Sequence, residues 1–67
     1  MTEEALRAAV AQFLKNVEAP AQREIEKALR KALASGKLHG HEAFTAAVSL
    51  FSEKAELDVT IYSKIEL

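Results

Sequence analysis

His39 and His41, two residues apart in the segment GKLHGHE (Gly36–Glu42), are the two imidazoles of the chain. In an extended segment, residues two apart point to the same side, so both rings can address one ion. A stable zinc site needs three or four ligands and a supporting second shell. The chain has no cysteine and no third histidine. Glu42 is adjacent but alternates away from the rings, and Asp58 and Glu66 are distant in sequence. The expectation is therefore no metal centre, with His39 and His41 the only candidate ligands and a solvated loop the simpler role for both.

Other catalytic chemistry finds less support. None of Ser35, Ser49, Ser52 and Ser63 lies in a G-x-S-x-G turn. Gly36 and Gly40 are the only glycines, too few for a phosphate-cradling loop. Paired acid–base carboxylates need a cleft, and a chain of 67 residues has little room for one. The expectation is a non-enzymatic protein with no cofactor and no small-molecule ligand.

A basic stripe is better patterned. Arg23, Lys27, Arg30 and Lys31 follow i, i+4, i+7 and i+8 spacing, and Lys37 extends the run. Such a stripe can lie against nucleic-acid phosphates. Glu24 and Glu26 interrupt it, with Glu26 placed to pair with Arg30. Net charge is −1, so no global field draws in nucleic acid or an anionic membrane. Nucleic-acid binding is the alternative reading.

The elements that carry these residues follow from hydrophobic period, which changes once along the chain. Leu6, Val10, Phe13, Leu14 and Val17 recur at helical spacing, and Ile25, Ala28, Leu29, Ala32 and Leu33 do so again. Thr2 is placed to cap the first helix, with Glu3 and Glu4 opposing the positive end of its dipole. Pro20 disfavours helical geometry at Ala19 and suits the first turn of a new helix, although Ala19 is a poor cap. Gly36 closes the second helix. The expectation is two helices, at about 3–16 and 20–35.

Beyond Glu42 the period is two. Phe44, Ala46, Val48 and Leu50 alternate with small or polar residues, as do Leu57, Val59, Ile61, Ile65 and Leu67. The polar SEKAE between them makes an antiparallel hairpin the economical arrangement. Pairing Leu50 with Val59, Val48 with Ile61, Ala46 with Ser63 and Phe44 with Ile65 sets large residues against large and small against small. Burying two helical stripes and one sheet face then gives an α+β, two-layer ααββ domain over residues 1–67, both helices on one face of the hairpin.

That arrangement leaves Ala47, Phe51 and Tyr62 on the outer hairpin face. Ala47 stands opposite Tyr62, and Phe51 opposite Asp58. Two aromatics on an uncovered face can seed an interface. Both strands are also edges, and the stretch from Ala43 to Phe51 carries no charge to repel another strand. These features point to a protein partner or a homodimer. No run is apolar enough to span a bilayer, and Glu3 and Glu4 stand where a signal peptide needs cations, so the expected setting is cytoplasmic.

FLK at Phe13–Lys15, QREIEKA at Gln22–Ala28, GKLHG at Gly36–Gly40 and the C-terminal KIEL together resemble a family of short uncharacterised bacterial proteins. The resemblance covers most of the chain and implies a small domain of unknown function, with no activity or site residues to transfer. The family typically carries a polar residue where this chain has Ala19-Pro20.

Overall fold

The computed structural model describes residues 1–67 and contains one helix and one hairpin: α1 (Glu3–Ala34), β1 (Ala43–Ser52) and β2 (Leu57–Glu66). The chain divides into two compact units, Met1–Lys37 and Leu38–Leu67.

In the first unit a single helix of 32 residues stands where two helices were expected. The order is therefore αββ, not ααββ. Its start is as anticipated: the Thr2 hydroxyl accepts the Ala5 N–H at 3.0 Å, and Glu3 and Glu4 occupy the first turn. What fails is the break at Pro20, which lies inside the helix. Proline removes one i→i−4 hydrogen bond and crowds the carbonyl four residues back, at a cost of ~3 kcal/mol. Ending a helix there would leave several carbonyls and N–H groups without partners, and Ala19 offers no side-chain acceptor to the new start. Nine alanines and many Glu, Gln, Lys and Arg residues favour continuing through. Pairs four residues apart reinforce the helix on either side of it. Gln12 donates to Asn16 at 2.9 Å, Gln22 to Glu26 at 2.8 Å, and Arg30 to Glu26 at 2.9 Å.

The helix ends in a left-handed turn. Gly36 has φ +80°, its N–H donates to the Leu33 carbonyl at 3.3 Å, and the Lys37 N–H donates to Ala32 at 2.9 Å. These two bonds, one spanning five residues and one spanning three, define a Schellman closure and satisfy carbonyls that the last turn leaves open.

In the second unit β1 and β2 form a two-stranded antiparallel sheet. Its register is the expected one: Leu50 opposes Val59, Val48 opposes Ile61, Ala46 opposes Ser63, and Phe44 opposes Ile65. The connection is a four-residue turn between the paired Ser52 and Leu57. The Glu56 N–H donates to Glu53 at 3.1 Å, and the Ala55 N–H to the Ser52 hydroxyl at 3.2 Å. Glu56 takes φ +52°, the left-handed conformation that returns the chain into β2. At the open end the Leu67 N–H donates to the Glu42 carbonyl at 2.9 Å, extending the ladder past both strands.

No residue of the chain is buried. The apolar positions read from the sequence as core are at best half-buried, as Phe44, Ala46, Leu50 and Ile65 are on the hairpin.

Candidate interaction surface

The hairpin presents two unlike faces. On one, Ala47 opposes Tyr62 and Phe51 opposes Asp58, as the sequence suggested. Phe51 is 73% exposed and Tyr62 is 70% exposed. The two aromatics do not form one cluster. The Ser49–Thr60 pair lies between their rows, which sit four residues apart along the strands, or ~13 Å.

The opposite face is more continuous. Leu57, Val59, Ile61 and Val48 stand on adjacent rows, and Val48 and Ile61 are each 55% exposed. This is the face expected in a core. Its alternation was legible, but alternation identifies a face and not what covers it. The edge of β1 lies between the two faces. The strand AFTAAVSLFS carries no charged residue along its ten positions, whereas β2 carries Asp58, Lys64 and Glu66.

Before the hairpin, the loop from Leu38 to Glu42 has its own order. The Glu42 carboxylate folds back and accepts the backbone N–H groups of His39 at 2.7 and 3.0 Å, Gly40 at 2.8 Å and His41 at 3.1 Å. Gly40 takes φ +99°, a conformation open to glycine, and this lets successive N–H groups converge. Partial burial pushes the Glu42 carboxyl up. The hydrogen bonds from His39, Gly40, His41 and its own N–H together outweigh that and hold it down at about 2. The two imidazoles do come together, with ring centroids 6.3 Å apart and planes 22° from parallel. No third potential ligand gathers with them into a metal-sized group. Glu42, the nearest carboxylate, is committed to the loop backbone.

The basic stripe lies on the C-terminal half of α1. Arg30 is engaged with Glu26, whose carboxyl is lowered by the Gln22 hydrogen bond and then by Arg30, against a smaller opposing effect of desolvation. Lys31 and Lys37 line a shallow groove with Ala28, Ala32 and Ser35 at the end of the helix. The helical unit carries seven Lys or Arg against five Glu, and the hairpin unit two Lys against five acidic residues.

Together the elements define a small α+β chain, one long amphipathic helix followed by an antiparallel hairpin, in which no helix is long and apolar enough to cross a membrane. The chain belongs to a family of unknown function, DUF6494, whose match covers residues 1–67. No curated protein and no solved structure matches it.

Proposed function

We propose that this chain is a cytoplasmic, non-enzymatic protein-association module that works through its hairpin, by addition of a partner strand to the free edge of β1. One observation carries the reading. The hairpin unit exposes large apolar side chains on both faces while its first strand has a charge-free edge. A two-stranded sheet is marginal in water, and a third strand would supply the hydrogen bonds and the cover that it lacks. Side chains of the added strand would pack beside Ala47 and Phe51, within reach of Tyr62, and on the other face beside Val48 and Leu50. The partner is a second copy or another protein.

The reading is tested by sedimentation across the micromolar range, comparing wild type with Ala47→Lys, Phe51→Ala and Tyr62→Ala. Association above the 7.3 kDa monomer that these substitutions weaken supports it. A wild type that stays monomeric and retains nothing from a cell extract overturns it.

The excess of cations in the helical unit favours a second reading, in which Arg23, Lys27, Arg30, Lys31 and Lys37 bind nucleic-acid phosphates. It predicts salt-sensitive binding that falls when Arg23, Lys27 and Arg30 become glutamine. Unretarded DNA and RNA at low salt would end it.

A further inference from the structure

Because α1 runs unbroken through Pro20, residues of both apolar segments fall, with Ala21, on one stripe. Leu6, Val10 and Leu14 recur eleven residues on as Val17, Ala21 and Ile25, and the first two recur again as Ala28 and Ala32. An eleven-residue repeat corresponds to ~3.67 residues per turn, close enough to the helix itself that the stripe runs almost straight along the axis. None of these side chains is buried: Leu6 is 46%, Val10 51% and Leu14 50% exposed.

The spacing within the stripe is palindromic. From Leu6 to Ile25 the steps are four, four, three, four, four, centred between Lys15 and Asn16. We infer that α1 pairs with the α1 of a second copy, antiparallel, about a two-fold axis at that centre. The two-fold operation places each stripe residue from Leu6 to Ile25 level with another: Leu6 with Ile25, Val10 with Ala21, and Leu14 with Val17. A two-fold interface is self-complementary in this way. The overlap runs for ~39 Å of helix, from Glu3 to Ala28 of each copy.

Orientation follows from volume and charge. A parallel pair would set Ala21 against its own copy, a small residue facing a small one. The antiparallel pair sets Ala21 against the larger Val10, so that large and small residues interdigitate. It also opposes the two helix dipoles and brings the acidic first turn of Glu3 and Glu4 level with Lys27, where a parallel pair would align like charges.

The chain has no cysteine, so introduced thiols report without background. Leu6→Cys and Ile25→Cys, one of them tagged, are mixed at about equal concentration and oxidised gently. The expected product is the mixed disulfide, in several-fold excess over either homodimer. In the antiparallel register two Leu6 positions lie ~28 Å apart along the axis, far beyond disulfide reach. Preferential formation of the two homodimers would overturn the inference, as would absence of cross-linking while circular dichroism shows the helix intact. The pairing is separate from the hairpin reading: cross-linking unchanged by Phe51→Ala with Tyr62→Ala would uphold the helix pair, and cross-linking abolished by them would overturn it as an independent contact.

Discussion

The Glu42 carboxylate reaches back three residues and accepts the His39 N–H with both oxygens, at 2.7 and 3.0 Å. The same residue's carbonyl takes the Leu67 N–H at 2.9 Å. Glu42 therefore ties the incoming loop through its side chain and the last rung of the hairpin through its backbone. The segment that carries the histidines is organised around a carboxylate, not around the imidazoles.

Its titration should show this. A free glutamate carboxyl protonates near ~4.3, and this one is held at about 2. Because the folded value is depressed, the stabilisation is complete above the unfolded value and is lost as pH falls through about 2. Carbon-detected NMR should give the Glu42 carboxyl the lowest midpoint among the glutamates. Glu42→Ala should speed amide exchange at His39, Gly40 and His41.

Gly36→Ala should shorten the helix without a clash. A Cβ at Gly36 meets nothing within 4 Å, so the cost is that of the left-handed backbone alone, about 1–2 kcal/mol. Loss of amide protection at Lys37, whose N–H closes the helix end, is the direct measure.

Glu56→Gly should act in the opposite direction. Glu56 holds φ +52° in the hairpin turn, and glycine relieves that strain while losing more entropy on folding. The expected net gain is below about 1 kcal/mol, read as a higher midpoint of the hairpin signals on heating.

Pro20→Ala should stabilise α1 by up to about 3 kcal/mol, since it restores a missing hydrogen bond and removes a steric conflict. Far-ultraviolet circular dichroism should record a higher melting midpoint with little change in helix content at low temperature.

The hairpin was legible down to its register because each strand alternates and the pairing of volumes favours one alignment. The N-cap at Thr2 and the closing glycine at Gly36 were legible because local chemistry decides them. Pro20 was misread because a proline's usual preference competes with everything around it, and here the surrounding residues are strong helix formers. The missing cap at Ala19 was the signal against a break. Glu42 was hidden for another reason: alternation places its Cβ but does not say that the side chain turns back onto three N–H groups. The palindromic stripe exists only on a helix that runs unbroken through Pro20.

Proline offers no N–H, so the Asn16 carbonyl lacks its rung in the ladder four residues before Pro20. The rod is thereby scored near its middle, beside the centre of the inferred two-fold. Fraying that begins at either tip meets this gap before it crosses to the other half, so the halves should exchange their amides at different rates.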